Sequence, residues 1–200
     1  MPESGPFLLG VTGNIACGKS LVTSMLADLG ADVIDADHVA HDLMQPGSDV
    51  LRKIVAHFGA AILQPDGSLN RPALGSIVFG DPEALAQLER ITHPPTVREI
   101  LRRASASTAS VVVIDAIKLF EAGLADHCHQ TWTVSCNPAA QLDRLMERNR
   151  LTEQEARQRI ESQPAQSEKI RKADVVIDNS GSTDETRAQV RTAWMSLPVS

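Results

Sequence analysis

The sequence predicts an α/β fold in which a five-stranded parallel sheet carries helices on both faces. Five short apolar runs, rich in β-branched residues, have the composition of buried strands. Longer segments between them repeat their apolar residues at helical spacing. Strands and helices in this order form parallel sheets, because the helix that connects two parallel strands packs on a face of the sheet.

The amino-terminal part begins with a strand, a loop and a helix. "PFLLGVT" at 6–12 is the first apolar run, and "KSLVTSMLADLG" at 19–30 has helical spacing and a glycine where the helix would end. "ADVID" at 31–35 predicts the second strand. Residues 36–103 show helical patterns interrupted at "QPGS", "QPDGS", "GDP" and "HPP", so we expect a helical insertion there.

The carboxyl-terminal part supplies the remaining strands, which we predict at 110–116, 131–136 and 173–178. "NPAAQLDRLMERNR" begins with Asn-Pro, a pair typical of a helix cap and its first turn. Thr152 and Glu155 form a capping-box pattern for the next helix, which Pro164 ends. A last helix is predicted at 183–195.

Length, charge and cysteine content restrict the class of protein. The 200 residues fit one compact domain with an appendage, or two small lobes that share a core. A net charge of −6 argues against nucleic acid or an anionic membrane as the partner. The odd number of cysteines and the absence of a signal-like or membrane-spanning apolar run predict a cytoplasmic protein in a reducing compartment.

The stretch "GVTGNIACGKS" at 10–20 carries the strongest functional signal. The spacing G-x-x-x-x-G-K-S between a strand and a helix is the context of a phosphate-binding P-loop. Glycines allow the backbone N–H groups to approach phosphate oxygens, Lys19 can reach the outer phosphates, and the Ser20 hydroxyl can bind Mg²⁺. The alternative is a glycine-rich turn without a ligand.

Three aspartates follow predicted strands. Asp115 ends "VVVID" as a Walker-B-like carboxylate that can hold the metal through water, although it could also simply end the strand. Asp35 and Asp37 in "VIDADH" lie where ligands bind in open α/β sheets. A carboxylate there can accept the proton of an alcohol in phosphoryl transfer, or Asp37 can cap the following helix.

Arg144 and Arg148 share one face of a predicted helix, with a packing stripe on the other. They predict a lid whose arginines neutralise the transferred phosphoryl group, or else a solvated face. The chain lacks guanine-reading and transporter-ATPase signatures, which disfavours a GTPase and a transporter ATPase. Its size favours a small-molecule kinase. A non-catalytic nucleotide-sensing module remains the alternative from a different class.

The order of several blocks resembles one family, the dephospho-coenzyme A kinases. The resemblance rests on "GVTGNIACGKS", "LGADVIDADHVAHDLMQPG", "HFGAAILQPDGSLNR", "ITHP", "LFEAG", "QLDRLMERNRLTEQEARQRIESQ" and "ADVVIDNSG". It implies a P-loop NTPase fold with transfer of the ATP γ-phosphoryl group to the ribose 3′-hydroxyl of dephospho-CoA, with Mg²⁺. It also implies a core at 6–37, 110–140 and 172–198, a helical CoA-binding insertion at 38–104 and a lid at 141–170. We expect a monomer or small homo-oligomer.

The resemblance also implies roles for single residues. Asp37 matches the general base, Asp35 its partner and a metal ligand, His93 a histidine near the acceptor, and Glu121 a further substrate-binding residue. Lys19, Arg144 and Arg148 match catalytic cations, while Ser20 and Asp115 match metal ligands. The nucleotide-binding set implied is Gly13, Asn14, Ile15, Ala16, Cys17, Gly18, Lys19, Ser20, Leu21 and Asn179.

Several positions depart from the family pattern. Asn14 and Ala16 replace glycines, Cys17 replaces serine and Leu21 replaces threonine. Lys118 adds a cation to the segment after the third strand. Cys17 could be oxidisable at a helix N-terminus, but we favour a small buried filler. "DHCHQ" at 126–130 groups two histidines and a cysteine without a second ligand pair, which disfavours zinc.

Overall fold

In the computed structural model, which describes residues 5–199, the five predicted strands form one sheet in the order β2-β3-β1-β4-β5. β1 pairs in parallel with both β3 and β4, and β4 pairs in parallel with β5. The strand ends lie within two residues of the predicted ones. The strands are β1 Phe7–Gly13, β2 Asp32–Asp35, β3 Val111–Asp115, β4 Gln130–Ser135 and β5 Val175–Asp178.

The helices begin and end largely where the sequence predicts. Asn137 caps α6 by accepting a hydrogen bond from the Ala140 N–H group, and Thr152 and Glu155 form the predicted capping box of α7. Gly30, with φ of 100°, follows the end of α1. The helices are α1 Lys19–Asp28, α2 Ala36–Leu43, α3 Asp49–Phe58, α4 Arg71–Val78, α5 Pro82–Ala106, α6 Pro138–Asn149, α7 Glu153–Glu161, α8 Gln166–Lys172 and α9 Thr183–Met195.

Helices cover both faces of the sheet, as the sequence predicts. On one face, α1 and α9 pack on a cluster in which Trp132 and Val134 of β4 are fully buried. Thr133 lies between these two residues, so its side chain points to the opposite face. Its hydroxyl donates to the main-chain carbonyl of Lys169, 3.2 Å away, which places α8 on that second face.

The chain divides into two compact units. Of the described residues, 5–34 and 104–199 form the first, which contains the strands of the sheet almost entirely, and residues 35–103 form the second. The second unit has its own apolar cluster, built around the fully buried Ile54 and Ile62. The assignment of 38–104 as a CoA-binding insertion and of 141–170 as a lid stays a prediction.

The predicted helix break at "HPP" is wrong. α5 continues through Pro94 and Pro95 to Ala106. Each internal proline removes one helical hydrogen bond and costs about 3 kcal/mol. Leu88 and Ile91 of the same helix pack on the apolar cluster of the second unit, and we attribute the continuity of α5 to this packing. Within residues 5–199, no helix combines the length and apolarity needed to cross a bilayer.

Candidate active site

The phosphate loop has a shape that only glycine permits at two of its motif positions. Gly18 has φ of 93°, and a Cβ atom there would lie 1.9 Å from the Asn179 Nδ2 atom. A Cβ atom on Gly13 would lie 2.7 Å from the carbonyl oxygen of Val134. Ala16 also has positive φ, at 60°, which shows how tightly the chain curls before α1.

The Asn179 side chain holds the backbone of the phosphate loop in place. Its Nδ2 atom donates to the Cys17 carbonyl at 2.9 Å, and its Oδ1 atom accepts from the Thr186 hydroxyl at 2.8 Å. Only 3% of Asn179 is exposed. The Asn179 side chain therefore contacts the loop backbone and does not line the cavity in front of the loop, and its predicted role in nucleotide binding stays a prediction.

A cavity of about 700 Å³ opens in front of the loop. It brings together residues that the sequence analysis placed in the phosphate loop and on the arginine helix, with the segment after β3 at its edge. The lining residues are Gly13, Asn14, Ile15, Ala16, Gly18, Lys19, Ser20, Ile117, Arg144, Glu147 and Arg148.

Two predicted loop residues lie outside this lining. Cys17 is fully buried, so its side chain does not reach the cavity. Leu21 packs against the apolar cluster of the first unit, and this explains why an apolar side chain is tolerated there. Both belong to the framework that fixes the loop.

Lys19 and Asp115 form an ion pair beside the cavity. Asp115 ends β3, and the parallel register places it opposite Val11 of β1, just before the loop. The sheet thus brings the Walker-B-like carboxylate to the loop lysine, although 96 positions separate them. Asp115 is only 6% exposed, so the lysine supplies charge compensation that a buried carboxylate requires.

The two predicted arginines both face the cavity but differ in their other contacts. The Arg144 guanidinium donates to the Asn179 carbonyl at 2.8 Å, and so is fixed to the segment that supports the loop. Arg148 is exposed, and its Nε atom donates to Asn149 Oδ1 at 2.9 Å. Leu145, on the packing side of the same helix, is fully buried.

The structure adds glutamines that the sequence analysis missed. The Ile15 N–H group donates to Gln163 Oε1 at 2.8 Å, and Gln141 Nε2 donates to the Ile15 carbonyl at 2.8 Å. Asn14 Nδ2 donates to the Pro164 carbonyl at 2.9 Å. The phosphate loop is therefore tied to α6 and to the connection between α7 and α8. Contacts of this kind leave no periodic signal in a sequence.

Lys169 of α8 is a second missed residue. It is 4% exposed, and its ammonium donates to the Ile117 carbonyl at 2.5 Å. The Thr12 hydroxyl donates to the same carbonyl at 3.0 Å. Burial lowers the pKa of Lys169, while the nearby Glu121 carboxylate opposes that shift. The lysine thereby holds in place the segment after β3 that edges the cavity.

The predicted acceptor residues Asp35, Asp37 and His93 belong to the second unit. The fourth, Glu121, is exposed in the turn after β3 and does not line the phosphate cavity.

The interpretation of Asp37 as a helix cap is wrong. Asp35 caps α2 by accepting from the His38 N–H group at 3.0 Å, and Asp37 lies inside the first turn. The residue before the helix adopts the extended backbone that a cap needs, and that residue is Asp35.

His93 lies on α5 beside a cavity of about 380 Å³ whose lining includes Glu89, Arg90 and Pro94.

In the "DHCHQ" segment at 126–130, the contacts of His129 have a structural role. His129 Nδ1 accepts from the Leu8 N–H group at 2.8 Å, and its ring stacks on Phe7. Residues 5–199 contain no group of three or more histidine, cysteine, aspartate or glutamate residues arranged to hold a metal ion.

Comparison with known proteins decides the family. The model of the dephospho-CoA kinase family matches residues 7–185. A dephospho-CoA kinase of Moorella thermoacetica is 42% identical over 196 residues, covering 96% of this chain and 92% of that protein. The chain belongs to the dephospho-CoA kinase family.

Solved structures agree with this membership. A crystal structure of a Thermus thermophilus protein has a TM-score of 0.84 at 30% identity and covers 96% of this chain and 98% of its own. A dephospho-CoA kinase from Campylobacter jejuni has a TM-score of 0.68 at 30% identity, with 94% and 95% covered. As a member of the dephospho-CoA kinase family, the chain is an enzyme with a P-loop kinase fold, and both the predicted family and the predicted fold are confirmed.

Proposed function

We propose that this chain transfers the γ-phosphoryl group of ATP to the ribose 3′-hydroxyl of dephospho-CoA, giving coenzyme A and ADP. The observation that supports this most strongly is the arrangement of one cavity. In this chain, a member of the dephospho-CoA kinase family, the phosphate loop, Lys19 and two arginines all line that cavity. Phosphoryl transfer depends on positioning and on stabilising charge, and these groups supply both.

Nucleotide binding follows from the loop. The backbone N–H groups at the start of α1, from Gly18 to Ser20, lie at the cavity and can face an anion. Lys19 then neutralises the outer phosphates. The glutamine contacts of Ile15 fix the loop before a ligand arrives, which reduces the entropy lost on binding.

The residues present fit a magnesium ion. Mg²⁺ prefers oxygen ligands and is usually held by one or two carboxylates together with substrate phosphates and water. We assign Ser20 as a direct ligand, because it lies in the first turn of α1 and lines the cavity. Asp115 is assigned to the same ion because its carboxylate lies beside Lys19, and Asp35 is a further candidate from the family resemblance. Bound there, the ion would neutralise charge on the phosphates.

Four residues are assigned to the acceptor. Asp37 accepts the proton of the ribose 3′-hydroxyl, Asp35 orients it, and His93 and Glu121 bind dephospho-CoA. These roles rest on the family resemblance. Because Asp35 rather than Asp37 caps α2, the Asp37 carboxylate is not needed for capping.

Arg144 and Arg148 are assigned to the transferred phosphoryl group. Both line the cavity in front of the loop, and the segment 141–170 to which they belong is the proposed lid. Arg144 is held by the Asn179 carbonyl, while the exposed Arg148 has more freedom to follow a ligand. We place the protein in the cytoplasm as a monomer or small homo-oligomer, with ATP and dephospho-CoA as its partners and neither nucleic acid nor membrane.

The test of this proposal is acceptor selection by the purified protein. With ATP and Mg²⁺, dephospho-CoA should be phosphorylated, whereas nucleoside monophosphates and shikimate, offered separately, should be poor acceptors. Nuclear magnetic resonance of the product should show the new phosphate on the 3′-oxygen. Phosphorylation of another acceptor in preference would point to a different small-molecule kinase, and tight ATP binding without transfer would point to a nucleotide sensor.

A further inference from the structure

Two of the three cysteines meet behind the phosphate loop. Cys17 belongs to the loop and Cys136 follows the last residue of β4, 119 positions later. Their sulfur atoms lie 3.2 Å apart, and the residues are 0% and 4% exposed. Both are free thiols in the structure. A disulfide bond is about 2.05 Å long, so bonding requires the sulfurs to approach by only about 1 Å.

The surroundings make the two thiols unequal. The hydrogen bond between them lowers the pKa of Cys136 and raises that of Cys17. Burial opposes the lowering at Cys136, and the nearby Arg144 guanidinium supports it. Burial raises the pKa of the third cysteine, Cys128, to about 12. Since the thiolate is the reactive form, Cys136 is the nucleophile of the pair.

We propose that Cys17 and Cys136 form a dithiol that a peroxide oxidises to a disulfide, which joins the phosphate loop to the end of β4 and weakens nucleotide binding. The effect on binding rests on the proposed function. Bond formation itself does not, because it depends only on the two sulfur atoms and the oxidant.

The reaction proceeds in two balanced steps. The Cys136 thiolate attacks one oxygen of hydrogen peroxide, the O–O bond breaks, and a sulfenic acid forms with release of hydroxide. The Cys17 sulfur then attacks the Cys136 sulfur, and the S–O bond breaks as the disulfide forms. The hydroxyl group leaves as water with the Cys17 proton. Overall, two sulfurs lose two electrons and peroxide is reduced to water.

Gln166 at the start of α8 covers the pair. Its Oε1 atom accepts from the Cys17 thiol at 2.9 Å, and its Nε2 atom donates to the Cys136 carbonyl at 3.0 Å. An oxidant must therefore pass this side chain. Removal of the cover in Gln166→Ala should accelerate oxidation several-fold.

The loop would transmit the change to the nucleotide site. Cys17 lies two residues before Lys19, and its carbonyl is held by Asn179, which does not line the cavity. Drawing the Cys17 sulfur toward β4 strains this part of the loop. The backbone N–H groups around Gly18 would then no longer have the arrangement that we propose for phosphate binding.

The chemical test uses the purified full chain treated with hydrogen peroxide. Digestion without reductant, followed by mass spectrometry, should reveal a peptide pair joined through Cys17 and Cys136, lighter by two hydrogen atoms. Cys128→Ser should still form it, while Cys136→Ser should not. Recovery of both cysteines as free thiols or as separate sulfinic acids, or a disulfide to Cys128, would overturn the proposal.

The binding test measures the Kd for ATP before and after oxidation. Oxidised protein should bind ATP at least tenfold more weakly, and dithiothreitol should restore the affinity. Cys136→Ser should keep its affinity through the same peroxide treatment. An oxidised protein that carries the joined peptides and binds ATP normally would refute the effect on binding, whereas loss of ATP binding in the reduced protein would refute the proposed function instead.

Discussion

The Lys19 ammonium is paired with the Asp115 carboxylate, so the cation that should bind phosphate is held by the acid that should bind metal. Side-chain exposure is 15% for the lysine and 9% for the aspartate. The contact exists because β1 and β3 are neighbours in register and both end beside the loop. We expect a nucleotide phosphate to compete for Lys19 and thereby free Asp115 for a magnesium-bound water.

The first prediction concerns Lys19→Ala. The variant should lose about a thousandfold in rate, because a preorganised cation is removed from the transferred phosphoryl group. It should also lose about 1 to 3 kcal/mol of unfolding free energy, because the Asp115 carboxylate loses a charged partner in a mostly buried place. Steady-state kinetics and urea unfolding measure the two effects.

A double variant separates the effects of Lys19→Ala. Lys19→Ala with Asp115→Asn should recover most of the stability, since the buried charge is gone, but none of the rate. Near-normal turnover in Lys19→Ala would refute the P-loop interpretation of "GVTGNIACGKS".

The second prediction compares the two arginines of α6. Arg148→Ala should lower kcat by about tenfold or more with a smaller change in the KM for ATP, since its charge acts on the transferred group. Arg144→Ala should do the same and, in addition, lower the unfolding free energy by about 1 to 3 kcal/mol, because it removes a charged donor from the Asn179 carbonyl.

The control for both arginines is Arg187→Ala, an exposed change on α9. Its kinetics should match those of the unaltered protein. If Arg148→Ala also left kcat unchanged, the arginine stripe would be a solvated face.

The sequence predicts the sheet well because buried parallel strands leave a local signal. Runs such as "VVVID" are apolar and β-branched over a length that suits a strand, and the structure places β3 there. The start of α7 is equally local, since Thr152 and Glu155 form their capping box within four residues. These elements need no tertiary context to be recognised.

The remaining features depend on contacts between distant parts of the chain. Gln163 and Lys169 act on residues 148 and 52 positions away, and neither lies in a pattern that marks it. Pro94 and Pro95 suggest a break locally, yet α5 continues through them. Residue type does not show whether Asp35 or Asp37 caps α2, because aspartate is a good capping residue at either position. Only the backbone conformation distinguishes the two.

The third prediction concerns pH and the second unit. The guanidinium groups of Arg102 and Arg103 hold the pKa of Glu99 at about 2, below its ordinary value of 4.5. A lowered folded-state pKa means that the stabilisation is fully present above about pH 4.5 and is lost as the pH falls toward 2. We expect these pairs to contribute less than about 1 kcal/mol to the free energy of unfolding, because Arg102 is exposed and Arg103 is partly exposed.

Unfolding free energies of the unaltered protein and of Glu99→Gln measure this effect across pH. The two curves should differ above pH 4.5 and converge toward pH 2. A constant difference at every pH would exclude titration of Glu99 as its source.

The fourth prediction concerns the proposed general base. Asp37→Asn should keep the affinity for ATP within a few-fold and lose about a hundredfold or more in kcat, since asparagine keeps the shape but cannot accept the proton. Capping cannot explain such a loss, because Asp35 caps α2.

Asp35→Asn is the matched variant two positions away. It should preserve the helix, since asparagine caps as well as aspartate does. If Asp35→Asn were inactive and Asp37→Asn fully active, the base would be Asp35.

The most direct test of the account is a phosphoryl-transfer assay with the purified chain, ATP, Mg²⁺ and dephospho-CoA, run beside Lys19→Ala. The account predicts stoichiometric formation of ADP and of coenzyme A carrying its new phosphate on the ribose 3′-oxygen, with the rate in Lys19→Ala lower by about a thousandfold. Absence of 3′-phosphorylated product from a folded protein that binds ATP, or equal rates in the two proteins, would contradict it.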